Sequence, residues 1–303
     1  FHALAWPLAK AVGPVAAVKT VAVLALGLTL LLAYALARAV GLTPGWSVVA
    51  QAVVYLLPVT ASRLTLALYP ALLAQSLELL LLVALARTLP LAKPATTIAA
   101  AFLLAAVQAS YTGSLLSVPV IIAWVAVSEL WQRRSASALR LLAAFLPAAG
   151  AVVAIQYRHF LPVLWHDVLP HAAAVGGGDA EPTVVTVLRR LTIFFDHVHP
   201  GLALLGVMAL RGAATARRVW RAALGAGLAL LVLRYALPTL FRDAKEVELL
   251  AAPVAVAMAA AWSWLWPRSW GRPVALASAA WVAAWGLWRA AALYAERFAA
   301  IGR

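Results

Sequence analysis

The chain has 303 residues, of which 65% are hydrophobic and only 11% are charged, and its mean hydropathy is +0.95. A soluble domain carries about 25% charged residues, and disordered chains are poor in apolar ones, so the composition excludes both classes. The net charge is +14, and the absence of cysteine excludes disulfides and thiolate chemistry. Several apolar runs approach or exceed the ~18 residues that cross a bilayer. The chain is therefore predicted to be a polytopic membrane protein.

The apolar runs, divided by prolines and charges, predict an all-α transmembrane helix bundle of about ten spans, forming a single domain over residues 1–303. The predicted spans cover residues 15–39, 46–57, 66–85, 94–110, 115–131, 139–157, 200–210, 219–237, 247–266 and 273–294. The second and seventh are too short to cross a ~30 Å core upright, so we expect them to be broken, partly interfacial or extended into the neighbouring loops.

The predicted connections form two sets that differ in charge. One set has a single acid, Glu129, among its cations. These cations are Arg38, Arg87, Lys93, Arg133, Arg134, Arg140, Arg211, Arg217, Arg218, Arg221, Arg268 and Arg272. Because cytoplasmic loops collect Lys and Arg, this side is predicted to face the cytoplasm, with both chain ends outside. The membrane is predicted to be a bacterial inner (cytoplasmic) membrane.

The longest stretch between spans, residues 158–199, is predicted to be an external loop. Its first half, HFLPVLWHDVLPHAAAV, places Phe160, Leu164, Trp165 and Leu169 near helical spacing. That spacing is typical of an amphipathic helix lying in the membrane interface. The GGGD sequence at 176–179 predicts a flexible joint after it.

The sequence DHVH offers a candidate metal site. Asp196, His197 and His199 supply a carboxylate and two imidazoles, ligand types that zinc and manganese accept. The spacing matches no known metal motif, and Pro200 directly after it predicts a helix start, where capping and interfacial roles are favoured. A divalent metal is the one cofactor left open. The sequence contains neither a Gly-x-Ser-x-Gly elbow nor a Walker-type phosphate loop.

Glu78 is the one acid deep inside an apolar run. An unpaired charge inside the membrane is costly, so two interpretations carry equal weight. Glu78 is the proton carrier of a transporter, or it is neutral or paired with a polar group of an adjacent span and serves packing. A transporter is also expected to show several such groups and paired, interrupted spans.

A second group of cations lies at the predicted external ends of spans, namely Arg63, Arg158, Arg234, Arg242 and Lys245. Arginine binds phosphate through a planar fork of donors and lysine adds a point charge, so lipid phosphate is the natural ligand. No nucleic-acid partner is expected. The alternative is that these side chains reach membrane headgroups generally. We predict that the group without Arg158 converges on one external cavity, balanced by neighbouring acids or a bound phosphate.

The last predicted span carries a stripe of tryptophans, Trp281, Trp285 and Trp288, at positions i, i+4 and i+7. Tryptophan is enriched at membrane interfaces, and one stripe on one helix indicates a packing face. That face is expected to meet lipid or a partner helix of another membrane subunit.

Several runs of the sequence occur in a recognisable order. LLLAYALARAVGL precedes a short span ending in proline, then YPALLAQSLELLLLVALARTL, AVQASYTGSLLSVPVIIAW, a basic WQRRS turn, and finally LRYALPTLFRDAKEVELLAAPVAVAMAAAW. Together they resemble the membrane part of type-C glycosyltransferases, polytopic enzymes that take a sugar from a polyprenyl-phosphate donor. The resemblance extends over nearly the whole chain.

The resemblance implies transfer of a hexosyl or pentosyl group to an acceptor on the non-cytoplasmic side. It also implies that Tyr69, Arg234, Arg242 and Lys245 lie near the donor phosphate. In the family the catalytic carboxylate follows the first transmembrane helix, and the equivalent segment would precede Phe1. The chain therefore resembles an enzyme without its amino-terminal catalytic portion. Two alternatives stay open: a non-catalytic membrane subunit of a larger complex, and a transporter that depends on Glu78.

Overall fold

The computed structural model describes residues 2–65, 69–168, 170, 195–212, 214–236 and 245–301. Within these ranges the protein is helical, with no strand. Its α-helices are α1 (His2–Val12), α2 (Pro14–Val40), α3 (Pro44–Leu56), α4 (Pro58–Thr65), α5 (Tyr69–Thr88), α6 (Pro94–Ser110), α7 (Ser114–Trp131), α8 (Ser135–Val152), α9 (Phe160–Val163), α10 (Val198–Ala209), α11 (Thr215–Ala236), α12 (Lys245–Leu265) and α13 (Gly271–Ile301). The predicted all-α class is confirmed.

Some of these helices have the length and composition of membrane spans. Within the described ranges five qualify: Pro14–Val40, Tyr69–Thr88, Ser114–Trp131, Ser135–Tyr157 and Gly271–Glu296. The other apolar helices, α3, α6, α10 and most of α12, are shorter. With 12 residues, α10 rises only about 18 Å. The protein thus has membrane-type helices, and the count of ten spans stays a prediction.

Proline marks where several helices begin. Pro14, Pro44, Pro58 and Pro94 are the first residues of α2, α3, α4 and α6. Proline suits this position because its missing N–H would have no partner in the first turn, and its φ is already helical. Helices α1 and α4 were not predicted from the sequence. In α1, Pro7 interrupts the helical pattern, and α4 carries too many polar residues to form an apolar run.

The centre of the bundle is α12. Every residue from Leu249 to Trp262 is buried, and α3, α10 and α11 pack directly against this helix. Many of these residues are alanines, and small side chains let neighbouring backbones approach closely. At Gly206 of α10, an added Cβ would lie 1.8 Å from the carbonyl oxygen of Ala257. Only glycine therefore fits where α10 crosses α12.

Contacts between distant residues show which connections share one end of the bundle. The pairs are Arg217 with Val40, Arg218 with Glu129, and Trp46 with Trp266. They bring together the connections at 41–43, 132–134, 210–214 and 266–270. We call this the basic end. The starts of α5, α7 and α12 lie at the opposite end, whereas the start of α10 lies between the two ends, where it contacts Trp281 and Trp285 in the middle of α13.

The predicted external loop 158–199 is described in part. Phe160–Val163 is α-helical, and Leu164–Val168 continues it as a π-helical turn. Phe160 is exposed, and Trp165 is 71% exposed. Residues 171–194, which include the GGGD sequence, lie outside the described residues.

Candidate functional site

The residues predicted to bind donor phosphate belong to helix ends at the opposite end of the bundle. Arg63 lies in α4, Arg234 in the last turn of α11, and Lys245 is the first residue of α12. These three are described by helix position only, and Arg242 lies outside the described residues. Their convergence on one cavity stays a prediction. Tyr69 is the member of the set whose side chain is described.

Tyr69 lines a cavity of about 280 Å³ between α2 and the start of α5, which we call the Tyr69 cavity. Its other lining residues are Pro14, Val15, Val18 and Lys19 of α2. Val15 and Lys19 are exposed, so the cavity opens on the outer surface of the bundle. The Tyr69 cavity is mostly apolar, and its two polar groups are the Tyr69 phenol and the Lys19 ammonium. A tyrosine hydroxyl can donate to a phosphate oxygen, and lysine supplies a compact positive charge.

A second, larger cavity is a groove of about 880 Å³ between α10 and α11, which we call the groove. Leu250 and Val254 of α12 lie on its floor, with Leu204 of α10 and Leu228 of α11 on its two walls. Leu204 and Leu228 are also exposed, so the groove opens sideways, toward the surface that a bilayer would cover. Its volume is within the 300–1,000 Å³ typical of small-molecule sites.

Two glycines let α11 lie close to its neighbours beside the groove. A Cβ on Gly225 would lie 2.1 Å from the indole nitrogen of Trp124, and one on Gly227 would lie 2.5 Å from the Leu250 side chain. The Trp124 indole therefore packs directly against the α11 backbone at Gly225 and lines one side of the groove. The groove lies between α10 and α11 because both helices pack mainly against α12.

The ends of the groove differ in charge. Arg221 lies toward the basic end, where its Nε donates to the carbonyl of Arg217 at 3.2 Å and its guanidinium also donates to the carbonyl of Gly212. These bonds fix the guanidinium beside the α10–α11 connection. At its other end the groove is lined by Asp196 and His197. The groove is therefore positive toward the basic end and carries an acid at the other.

The metal candidates form the start of α10. The Asp196 carboxylate accepts hydrogen bonds from the His197 amide at 2.7 Å and from the indole of Trp281. Burial alone would raise the pKa of Asp196, but these two hydrogen bonds and the neighbouring imidazoles lower it. Nδ1 of the buried His199 accepts from the Asp196 amide at 3.1 Å, and its ring packs edge-on against Trp285 at 5.1 Å. Across the described ranges, no three metal-binding side chains come together.

The tryptophan stripe of α13 is thus divided. Trp281 and Trp285 contact the start of α10, whereas Trp288 is 63% exposed. Trp281 and Trp285 therefore pack inside this chain. A contact with another subunit stays a prediction for the rest.

Glu78 lies in the middle of α5 and is buried against the start of α7. Its Oε1 accepts hydrogen bonds from the hydroxyls of Ser114 at 2.9 Å and Ser117 at 2.5 Å, and both serines are fully buried. A helix N-terminus also favours a negative group. The acid is therefore bonded to an adjacent helix, which is the geometry of the packing interpretation. The proton-carrier interpretation stays a prediction.

Lys19 was not predicted to be a site residue, and Arg221 was predicted only to mark the cytoplasmic side of the membrane. Both had a signal. Lys19 is an ionisable residue inside a predicted span, a position that is often functional. Arg221 shares one helix face with Leu224, Leu228 and Leu231, at spacings of three, seven and ten residues. Trp124 has no such sequence feature, because its partner is a glycine on a distant helix.

No protein-family model, no curated protein and no solved structure matches this chain. Over the described residues, the structure establishes a helical protein with membrane-type helices, and its cavities include the Tyr69 cavity and the groove, which open on its outer surface. Its chemical function is inferred from the residues at these cavities.

Proposed function

We propose that the protein is the membrane part of a type-C glycosyltransferase, and that it binds a polyprenyl-phosphate sugar donor on the non-cytoplasmic side. The observation that carries the proposal is the Tyr69 cavity. It combines an apolar wall with Tyr69 and Lys19 at the end of the bundle opposite the basic connections. The helices that carry Arg63, Arg234 and Lys245 also end or begin at that end.

In the proposed glycosyl transfer, this part of the protein needs to do little more than bind the donor. The donor phosphate is held by cations and hydroxyls at the interface, and its chain stays in lipid beside α2. The acceptor oxygen then attacks the anomeric carbon, the bond from that carbon to the phosphate oxygen breaks, and polyprenyl phosphate leaves. A carboxylate base takes the acceptor proton. In the family that the chain resembles, that base follows the first transmembrane helix, and no residue of this chain is assigned that role.

The groove fits this donor less well than the Tyr69 cavity does. A donor on the opposite side needs a cation there, whereas the groove has Asp196 at its end farther from the basic end and its arginine, Arg221, toward the basic end. The acid would repel a phosphate at the required position.

The test is photo-crosslinking of a diazirine-bearing polyprenyl phosphate to the purified protein in zwitterionic nanodiscs. We expect labelling of α2 and α5. Lys19→Gln should weaken binding about fivefold, since one basic residue near a membrane surface contributes about 1 kcal/mol. Tyr69→Phe should weaken it further by removal of a hydrogen bond to a charged group.

Matched controls are Lys93→Gln and Tyr55→Phe, which change an exposed lysine after α5 and an exposed tyrosine of α3, neither of which lines the Tyr69 cavity. Both should bind as the unchanged protein does. If all four variants label equally, or if neutral polyprenol competes as well as polyprenyl phosphate, no phosphate site exists here and the proposal is wrong.

A non-catalytic membrane subunit is the second candidate, and one observation favours it. The apolar helix α13 is only 17% buried over its candidate span, the lowest value among the candidate spans of the described ranges. Leu287 and Trp288 lie on its exposed surface. Trp288→Ala should release a partner subunit in co-purification while leaving polyprenyl-phosphate labelling unchanged. The donor-binding proposal expects no such partner loss.

A further inference from the structure

The groove between α10 and α11 has the features of a lipid site that is separate from the proposed donor site. Its wall and floor residues are apolar over most of their length, and it opens sideways between two helices. Phosphate-bearing lipids match a site of this kind when a fixed cation lies at one end of an apolar channel.

The length of the groove corresponds to one leaflet. Along α11 its lining residues run from Arg221 to Leu231, ten residues that rise about 15 Å. The hydrocarbon core of a bilayer is about 30 Å thick, so each leaflet contributes about half of that. An acyl chain that ends within its own leaflet fits this length, whereas a polyprenyl chain would extend well beyond it.

The charge distribution sets the direction of the lipid. Arg221 is fixed by two carbonyls at the basic side of the groove, and Arg211, Arg217 and Arg218 lie on or next to the same connection. Arg218 is neutralised by Glu129, which leaves the others as a local positive field. At the far end, Asp196 would repel a phosphate. The headgroup therefore belongs at Arg221, with the chain pointing toward Asp196.

We propose that the groove binds an anionic glycerophospholipid from the leaflet at the basic end, with its phosphate on Arg221 and one acyl chain between α10 and α11. The lipid fills a gap that the protein leaves open, because α10 and α11 each pack on α12. It thus completes the packing of α10, the shortest of the apolar helices within the described ranges.

The experiment compares phosphatidylglycerol with phosphatidylcholine of identical acyl chains. Native mass spectrometry measures retained lipid, and thermal unfolding in nanodiscs measures stability. We expect the protein to retain phosphatidylglycerol in preference to phosphatidylcholine and to unfold at a higher temperature in its presence, because a ligand of the folded state stabilises it. Arg221→Gln should weaken phosphatidylglycerol binding about fivefold, and Arg221→Lys should keep most of it.

A second variant tests the acyl-chain part without touching the arginine. Ala203→Phe places a ring in the groove, where Ala203 is half-buried, and should expel the lipid while leaving Arg221 in place. The matched controls are Ala106→Phe, at an exposed position of α6, and Arg140→Gln, an exposed cation of α8. Both should retain phosphatidylglycerol as the unchanged protein does.

Three results would overturn the inference. One is equal retention of the two phospholipids by the unchanged protein. Another is a loss in Arg140→Gln as large as in Arg221→Gln, which would mean general surface attraction. The third is displacement of phosphatidylglycerol by polyprenyl phosphate at lower concentration, which would make the groove a carrier site. Because Lys19 and Tyr69 play no part here, this test and that of the donor site can fail separately.

Discussion

Glu129 and Arg218 form a buried ion pair that joins α7 to α11. The Arg218 guanidinium donates to one carboxylate oxygen of Glu129 through Nε at 3.1 Å and a terminal nitrogen at 2.9 Å, and the two side chains are 1% and 4% exposed. Thr215 accepts a further bond from Arg218 at 3.2 Å. The single acid among the basic connections is thus a structural partner and not a surface charge.

Removal of one partner should destabilise the protein strongly. Glu129→Gln leaves the guanidinium buried without its counter-ion, which costs about 3–5 kcal/mol. The joint change Glu129→Leu with Arg218→Met removes both charges and should cost much less. Thermal unfolding in detergent measures the difference. The control is Arg289→Gln, which breaks a partly exposed 3.8 Å pair with Glu296 and should cost less than about 1 kcal/mol. Equal losses in the two single variants would contradict the assignment.

At the scale of elements, the crossing of α10 over α12 depends on one glycine. A methyl group on Gly206 would lie 1.8 Å from a backbone oxygen of α12, and neither backbone can move without disturbing the core. Gly206→Ala should therefore destabilise the protein by about 1–3 kcal/mol, the range of overpacked cores. Gly201→Ala is the control on the same helix, because its Cβ would meet open space. It should be neutral or slightly stabilising, since alanine favours helix. Thermal unfolding compares the two, and a smaller loss at Gly206 than at Gly201 would refute this packing.

The elements were predictable wherever apolar runs and prolines agreed. The predicted helix 94–110 coincides with α6, and most other predicted spans differ from the observed helices by a few residues at each end. The start of α8 at Ser135 lies four residues before its prediction, because a helix can begin in a polar segment without changing its apolar run. Two helices, α1 and α4, were not predicted. Pro7 interrupts the helical pattern of α1, and α4 carries too many polar residues to form an apolar run.

The cavities were not predictable, because they depend on pairs of residues from distant helices. The family resemblance indicated Tyr69 as a site residue, but nothing indicated Lys19, which lies beside the same cavity on another helix. It identified Glu78 as an acid needing a partner but not the serines of α7 that bond it. Hydropathy in a membrane protein marks what is apolar, and it does not say which apolar faces meet.

For the whole molecule, the distribution of charge predicts its orientation. The connections that the structure brings to one end carry arginines with one acid, and that acid is neutralised by Arg218. Short loops of this kind stay in the cytoplasm because transfer of arginine and lysine across the membrane is disfavoured. The opposite end carries the end of α11 and the start of α12. We therefore expect the basic end to face the cytoplasm.

Single-cysteine labelling tests this orientation directly, because the chain has no cysteine of its own. Thr112→Cys is exposed at the opposite end and should react with a membrane-impermeant maleimide on intact spheroplasts. Gln132→Cys and Ser269→Cys are exposed at the basic end and should react only after lysis. Arg211→Cys is exposed directly after α10 and should also react only after lysis, because the connection that follows α10 lies at the basic end. Reaction of Thr112→Cys and Gln132→Cys from the same side would show that α7 does not cross, and the predicted orientation would then be wrong.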